Sequence, residues 1–407
     1  KLTPKQLFEH QTIAAAAAEA LWKDAAATDG AADSAPVHST AAQSPPAADS
    51  DADAGVPAYP LTGIDGAELA GLRNDWSGIQ DCYPLSPMQE GMLFHTLMNP
   101  GTGMYLMQQY YVWDGRLDRD AFGRAWQRVV DRHPTLRTSF MWNDLKHPLQ
   151  VVHRHVNAAD VIDDFDWTDW DEETQRAKMT ELLEKELEIG FDLNRAPLMR
   201  IRLVRQRADR FTIVRSFHHI LTDDWCFSLL MMDFLAHYEA FIEGRDLQAP
   251  SPPPYRDYIA WLQRQDLGAA EKFWRKELAG FSMPTPLGIE RLDPETPAAG
   301  TTVGDVHMEL SLDVSARIQA LALANQVTPN TFVQGAWALL LSRYSGEEQV
   351  LFGVTVAGRP TELPGVEDIV GLFINTLPLR VTVPPHVKLI GWLKHLLAEN
   401  YRVRQYE

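Results

Sequence analysis

A strand, a pair of adjacent histidines and an apolar helix follow one another in the middle of this 407-residue chain. Residues 211–219 are rich in β-branched and aromatic side chains and predict a strand, whereas the apolar run 227–241 predicts a helix. His218 and His219 therefore lie where a strand gives way to a loop. Because neighbouring residues of a strand point to opposite faces, only one of the two histidines can face a given site.

An acidic residue follows the two histidines closely in the sequence. Asp223 follows His219 by four positions, and pairing with an arginine would let it hold the geometry of the loop. One imidazole would then remain a neutral base near pH 7. A buried, hydrogen-bonded histidine pair without catalytic duty explains the same spacing equally well, so the spacing alone leaves both interpretations open.

Composition narrows the class of protein. A hydrophobic content of 45% in a chain of this length can bury a substantial core and indicates two domains or lobes. The net charge of −18 argues against a nucleic-acid surface, which needs clustered Lys and Arg. The two cysteines are too few for a disulfide framework. Without a signal peptide or an apolar run of about 18 residues, we expect a cytoplasmic protein with no membrane partner.

The chain begins with two segments that differ from the rest. Residues 1–22 have a helical pattern but are too short to fold alone. Residues 23–57 are dominated by Ala, Ser, Asp and Pro and predict a flexible linker, because such a composition cannot offset chain entropy by burial.

From residue 59 onward, helices and strands alternate in the manner of an α/β protein. The pattern predicts a helix beginning near Ser86, an amphipathic helix over 116–133 and a hairpin of strands 199–204 and 211–219. After a polar connector at 284–302, it predicts strands at 306–312, 349–356 and 370–380, with helices at 314–325, 330–344 and 389–401.

Five stretches match, in order and at sensible spacing, the motifs of a known family; they are 86–93, 132–140, 218–225, 255–261 and 370–380. With these motifs the chain resembles the condensation domain of non-ribosomal peptide synthetases, within the chloramphenicol-acetyltransferase-like superfamily. Residues 1–22 are similar to the C-terminal end of a peptidyl carrier domain. The resemblance places an N-terminal lobe at 58–265 and a C-terminal lobe at 266–407. The second lobe is expected to be incomplete, because the family's later motifs do not occur before Glu407.

The resemblance implies an α/β fold of two lobes in a V shape, with the active site at their interface. It also implies amide-bond formation between a donor acyl or peptidyl thioester and the amine of an acceptor aminoacyl thioester. Upstream and downstream carrier domains would deliver both substrates on phosphopantetheine arms, beside a neighbouring adenylation domain. The domain itself is expected to bind no cofactor and no metal.

The resemblance also assigns roles to individual residues. His219 is expected to face the substrates, either removing the proton of the attacking amine or orienting the amine. Asp223 matches the family's structural aspartate, with an expected salt bridge to Arg137 or, as a less favoured partner, Arg132. His218 is interpreted as a packed, hydrogen-bonded neighbour.

Further positions complete the expected site. Asp224 stands where the family has glycine, and we expect it to tolerate a left-handed turn there while lining the substrate passage with Trp225. Asn375 is expected at the lobe junction, with either a site role or a structural one. Cys226 is interpreted as a buried thiol rather than a nucleophile, since substrates that arrive as thioesters require no acyl-enzyme step. Arg359 and Arg380 are interpreted as structural ion-pair partners.

Two other functions remain open at this level. One is a free-standing acyltransferase that moves an acyl group from coenzyme A, and the carrier-like start argues against it. The other is a degenerate module that only docks carrier domains. His219 and Asp223 argue against this second alternative, whereas the departure at Asp224 favours it.

Overall fold

The computed structural model describes residues 59–64, 76–281, 285–287 and 306–407. These residues form two compact units. The first contains the described residues up to Gln263 together with Thr361–Leu372, and the second contains the described parts of Arg264–Pro360 and Phe373–Glu407. The sequence analysis placed all of residues 266–407 in the second lobe and did not include this return of Thr361–Leu372 to the first unit. The predicted carrier end, 1–22, and linker, 23–57, lie outside the described residues.

The first unit is built on two sheets flanked by helices. Its strands are β1 (Ile79–Pro84), β2 (Leu106–Asp114), β3 (Thr138–Met141), β4 (Leu149–His153), β5 (Ile162–Asp166), β6 (Met199–Arg207) and β7 (Arg210–His218). Its helices are α1 (Pro87–Met98), α2 (Arg119–Arg132), α3 (Glu172–Ile189), α4 (Asp224–Ile242) and α5 (Arg256–Leu262). The larger sheet has the order β2-β7-β6-β5, and the smaller has the order β1-β4-β3. The larger sheet is mixed, because β5 and β6 are parallel whereas β6 and β7 form the predicted antiparallel hairpin.

Helices α2 and α4 contribute the aromatic core of this unit. The amphipathic pattern of α2 is confirmed, because Phe122, Trp126 and Val129 have no exposed surface. The rings of Trp126 and Phe122 lie 5.0 and 5.1 Å from the ring of Phe234 on α4. Helix α2 begins where the Asp118 side chain accepts a hydrogen bond from the backbone of Ala121. The two helices thereby form one layer beside the strand that ends at His218.

The second unit has a smaller core around the antiparallel pair β8 (Gln349–Val356) and β9 (Asn375–Thr382). Its helices are α6 (Leu267–Glu277), α7 (Leu312–Asn325), α8 (Pro329–Ser345) and α9 (Leu389–Val403). Leu377 and Leu379 of β9 pack in one apolar cluster with Trp392 and Leu393 of α9. Within the described residues, no helix is both long enough and apolar enough to cross a bilayer.

The strand predicted at 306–312 is wrong. Residues 306–311 have no regular structure, and α7 begins at Leu312 because Ser311 accepts a hydrogen bond from the backbone of Val314. The alternation of apolar residues suggested a half-buried strand, yet Val306 is 95% exposed and Met308 is 81% exposed. No strand within the described residues pairs with residues 306–311, so this segment is not part of a sheet.

Thr361–Leu372, hereafter the docking segment, is held within the first unit by hydrogen bonds to its own backbone carbonyls. The Thr135 hydroxyl donates to the carbonyl of Val370 at 2.6 Å, and the Tyr255 hydroxyl donates to that of Leu372 at 2.6 Å. Gly371 lies between them, and a Cβ there would overlap the ring of Tyr255. Since Tyr255 is itself buried, its ring cannot swing away from an added methyl group.

We therefore expect Gly371→Ala to destabilise the protein by about 1 to 3 kcal/mol, because overpacking forces buried neighbours out of place. Thermal unfolding measures this effect. Gly391→Ala in α9 is the matched control, since its new Cβ would meet no heavy atom within 4 Å. The control should be neutral or stabilising by up to about 1 kcal/mol. Equal midpoints for wild type and Gly371→Ala would contradict the tight contact with Tyr255.

Candidate active site

The end of β7 holds the two histidines on different sides of the chain, as the sequence predicted. The backbone N–H of His218 donates to the carbonyl of Leu198 at 3.1 Å, and that of His219 donates to the carbonyl of Tyr105 at 2.8 Å. The His218 residue is only 2% exposed, whereas His219 is half-buried. His219 is therefore the more exposed of the two residues.

His218 is held as a neutral imidazole inside the first unit. Its Nδ1 accepts a hydrogen bond from the backbone N–H of Ile220 at 3.2 Å, so the proton lies on Nε2. Nε2 lies 3.2 Å from the hydroxyl oxygen of Thr96, which in turn donates to the carbonyl of Met92. Burial, with a smaller contribution from the neighbouring His219, lowers the pKa of His218 to about 4. His218 is thus buried, with both ring nitrogens in hydrogen-bond contact.

His219 has the opposite tautomer. Its Nδ1 lies 2.8 Å from the backbone carbonyl oxygen of Thr222. A carbonyl oxygen can only accept, so Nδ1 carries the proton of the neutral ring. The lone pair is then on Nε2, on the side of the ring away from this contact. The turn 219–222 thus orients one imidazole as a hydrogen-bond acceptor or base.

Asp223 is the N-cap residue that precedes helix α4, and it is 3% exposed. Its carboxylate accepts from the backbone N–H of Cys226 at 3.3 Å and lies 3.2 Å from the Cys226 Sγ. An aspartate at this position satisfies a backbone donor of the first helical turn and complements the helix dipole. Because Thr222 directly precedes it, this cap also fixes the carbonyl that holds the His219 ring.

The predicted ion pair of Asp223 with Arg137 or Arg132 is wrong. Arg137 is buried, and its Nε donates to the carbonyl of Val130 at 3.0 Å while its Nη1 donates to Gln80 Oε1 at 2.8 Å. The same guanidinium also donates to the carbonyl of His153, and burial lowers its pKa. The last carbonyls of a helix lack hydrogen-bond partners within the helix. The carbonyl of Val130 near the end of α2 is therefore free to accept from Arg137.

Arg132 is used elsewhere as well. Its Nε lies 2.8 Å from Asp233 Oδ2, and the Nε2 of His133 lies 2.6 Å from the same oxygen. These contacts join the end of α2 to α4. Both arginines of the 132–140 motif therefore bind groups other than Asp223.

The residues after Asp223 form the first turn of α4. Asp224 is exposed and already helical, so its backbone has no left-handed conformation and the expected reason for a glycine there does not apply. Trp225 is 40% exposed, and its indole N–H donates to the carbonyl of Glu367 in the docking segment at 2.9 Å. The Sγ of Cys226 is buried, 3.1 Å from the carbonyl of Gly371, which confirms the interpretation of a structural thiol.

Three further residues of the sequence prediction lie in the second unit. Asn375 is the first residue of β9, and its Oδ1 accepts from the backbone N–H of Thr376 at 2.8 Å. Arg380 donates to the carbonyl of Ala279 at 2.9 Å and to Gln349 Oε1 at 2.7 Å. The guanidinium of Arg359 lies 4.1 Å from the ring centroid of Phe373. The hydrogen bonds of Arg380 go to neutral acceptors, so the ion pair expected of it is not formed among the described residues.

Sequence reasoning did not identify Gln89, which joins α1 to the histidine turn. Gln89 is fully buried and donates through Nε2 to the carbonyl of Ile220 at 3.0 Å, and it also pairs with the amide of Gln150. Its side-chain oxygen accepts from the backbone of Ser86, completing a capping box at the start of α1. The sequence feature that could have identified Gln89 is its position within the 86–93 motif, because a polar residue on the buried face of a helix requires a hydrogen-bond partner.

Among the described residues, no group of three or more His, Cys, Asp or Glu side chains is arranged to hold a metal ion.

A sequence profile of the condensation domain matches residues 79–407. A linear gramicidin synthase protein of Brevibacillus parabrevis is 41% identical over 339 residues, which are 82% of this chain and 4% of that protein. Chondramide synthase cmdD of Chondromyces crocatus is 36% identical over 379 residues, which are 83% of this chain and 10% of that protein. The chain thus spans only a small part of these curated relatives.

Solved structures with the same fold support this similarity. An X-domain in complex with OxyB from teicoplanin biosynthesis is 25% identical, with a TM-score of 0.67 over 79% of this chain and 70% of that one. The first condensation domain of the calcium-dependent antibiotic synthetase is 17% identical, with a TM-score of 0.64 over 80% of this chain and 76% of that one. These likenesses confirm the predicted α/β fold class.

The low pKa of His218 makes stability depend on pH. The folded state keeps this ring neutral down to about pH 4, whereas the unfolded chain protonates it near the ordinary histidine pKa of 6.5. Between these values the unfolded state binds more protons, so stability should fall by about 3 kcal/mol as the pH drops from 6.5 to 4. His218→Asn, whose Oδ1 can replace Nδ1 as acceptor, should have a shallower pH dependence in urea unfolding. The same slope in both proteins would contradict a buried, neutral His218.

Proposed function

The chain belongs to the condensation-domain family of non-ribosomal peptide synthetases, and we propose that it forms an amide bond from two thioesters through His219. The donor is an acyl or peptidyl thioester, and the acceptor is an aminoacyl thioester whose amine attacks the donor carbonyl. Phosphopantetheine arms of an upstream and a downstream carrier domain hold the two substrates. An adenylation domain loads the acceptor carrier.

The observation that carries this proposal is the contact of His219 Nδ1 with the Thr222 carbonyl, which assigns the tautomer of the ring. Its Nδ1 lies 2.8 Å from the carbonyl oxygen of Thr222, which leaves the lone pair of the neutral ring on Nε2, and the proposal places this nitrogen toward the substrates. The attacking amine forms the new C–N bond and becomes positively charged as it does so. Nε2 then removes the amine proton or orients the amine by accepting its hydrogen bond.

The remaining steps balance without any further reactant. The tetrahedral species collapses by breaking the C–S bond, and the donor arm leaves as a thiolate. The proton taken from the amine passes to this thiolate, which yields the amide and a free phosphopantetheine thiol. Holding both tethered substrates in line supplies a large share of the acceleration, because an encounter of two molecules becomes a step within one assembly.

Replacing His219 by Ala should lower the rate of amide formation by at least about 10²-fold if the ring is the general base. The assay presents donor and acceptor on separately loaded carrier domains and detects the new acyl thioester by intact-protein mass spectrometry. His155→Ala is the matched control, because the His155 side chain is 71% exposed and its ring lies 3.8 Å from Asp131 of α2. The control should retain the wild-type rate.

Three results of this assay separate the alternatives. A wild-type rate in His219→Ala would exclude catalysis by that residue. An inactive wild-type protein that still binds carrier domains would favour a docking module without chemistry. Transfer from acyl coenzyme A with none from carrier thioesters would favour a free-standing acyltransferase.

The carboxylate of Asp224 should not be required for this reaction. We expect Asp224→Gly to keep or raise the rate of amide formation, since the side chain is exposed and its backbone is helical. Stability should fall by about 1 kcal/mol, because the helix loses an acidic first-turn residue and gains a glycine. Asp224→Asn separates the effect of charge from that of the glycine backbone. A folded Asp224→Gly protein with little activity would show that the carboxylate is needed.

A further inference from the structure

Tyr105 has an unusual backbone conformation next to the candidate active site. Its φ is +60°, and within the described residues only Asp144 and Gln326 share a positive φ among non-glycine residues. Gln326 ends a helix, and aspartate tolerates this region, so both have ordinary explanations. A bulky aromatic residue rarely adopts it unless surrounding contacts hold it there, and such positions cluster at functional sites.

The conformation directs the Tyr105 carbonyl to His219. Strand β2 begins at the next residue, Leu106, which pairs with His218 in the antiparallel ladder. The Tyr105 carbonyl accepts the backbone N–H of His219 at 2.8 Å, one position beyond the end of β7. His219 is thus held at its backbone by Tyr105 and at its ring by Thr222.

The side chain of Tyr105 is fixed in turn by His95 on the last turn of α1. The phenol oxygen lies 2.9 Å from His95 Nδ1, and the two rings are parallel to within 8°. The ring of Tyr105 also lies 6.3 Å from that of His218. The phenol therefore connects α1 to the backbone that meets His219.

The loop between α1 and Tyr105 is anchored at both ends. The Asn99 side chain donates to the carbonyl of His95 at 2.9 Å, and the backbone N–H of Leu106 donates to the carbonyl of Gly103 at 2.9 Å. Gly103 has a positive φ, and a Cβ there would crowd Leu187 of α3 at 3.1 Å. The neighbours of Tyr105 thus restrict its backbone on both sides.

We propose that Tyr105 is a positioning residue for His219, and that the hydrogen bond between its phenol and His95 keeps its carbonyl in place. This inference rests on the proposed function of His219. The phenol–His95 contact is the one part of the arrangement that a substitution removes without deleting a ring or a backbone group. Loss of this contact allows the Tyr105 backbone to leave its unfavourable conformation, and the His219 ring then loses its orientation toward the amine.

The test uses four variants in the whole protein that carries this chain. Tyr105→Phe and His95→Ala each remove the contact, the double variant removes both partners, and His95→Asn restores an acceptor at the position of Nδ1. The readouts are kcat and KM with carrier-bound substrates, together with thermal midpoints. Tyr110→Phe is the matched control, since Tyr110 lies on β2 and is 67% exposed.

We expect Tyr105→Phe and His95→Ala each to lower kcat about tenfold with little change in KM, because misplacement of a catalytic group affects the reacting step. The double variant should be no worse than either single variant, as two residues acting through one contact require. His95→Asn should recover most of the rate, and Tyr110→Phe should match wild type.

Wild-type kcat in folded Tyr105→Phe and His95→Ala would overturn the inference, as would effects that multiply in the double variant. A drop in rate that follows the thermal midpoint and is not restored by His95→Asn would also overturn it, since that result indicates a purely structural role. An inactive wild-type protein, by contrast, would refute the proposed function itself. The two failures are therefore distinguishable.

Discussion

The arrangement of the first unit depends on the divergence of two adjacent side chains at the end of a strand. His218 is the last residue of β7 and is buried, whereas His219 follows the strand and is half-buried. The buried ring is satisfied by Thr96 and the backbone of Ile220, and burial keeps it neutral. The partly exposed ring donates to Thr222 instead. The first histidine is thus held inside the unit by both ring nitrogens, and the second is the one for which we propose a chemical role.

The surrounding elements each secure one side of this turn. Gln89 of α1 holds the carbonyl of Ile220, and Asp223 caps the helix that follows. The docking segment covers the start of that helix, because the Cys226 thiol contacts the carbonyl of Gly371. The contacts of Gln89 and of Gly371 join residues more than 100 positions apart in the chain. The catalytic proposal therefore rests on a turn that is preorganised by long-range packing.

The sequence was informative where the signal is local. Periodicity identified α2 and the β6–β7 hairpin, and strand alternation indicated that only one of His218 and His219 can face a given site. Sequence reasoning failed where a prediction depends on which residue or strand lies next to the predicted one in space. Arg137 was expected at Asp223, but free helix carbonyls and Gln80 compete for its guanidinium. The alternation at 306–312 predicted a strand, although alternation cannot show whether a neighbouring strand exists. The positive φ of Tyr105 has no sequence signature, because glycine and asparagine are the residues that mark such positions.

The tautomer of His219 is the central claim, and nitrogen NMR of the protein with ¹⁵N-labelled histidine tests it most directly. Comparison with His219→Asn assigns the signals of this ring. We predict a protonated Nδ1 and an unprotonated Nε2 at neutral pH for His219, with the reverse pattern for His218. A protonated Nε2 on a neutral His219 would contradict the account, because that ring would have no lone pair to offer the attacking amine.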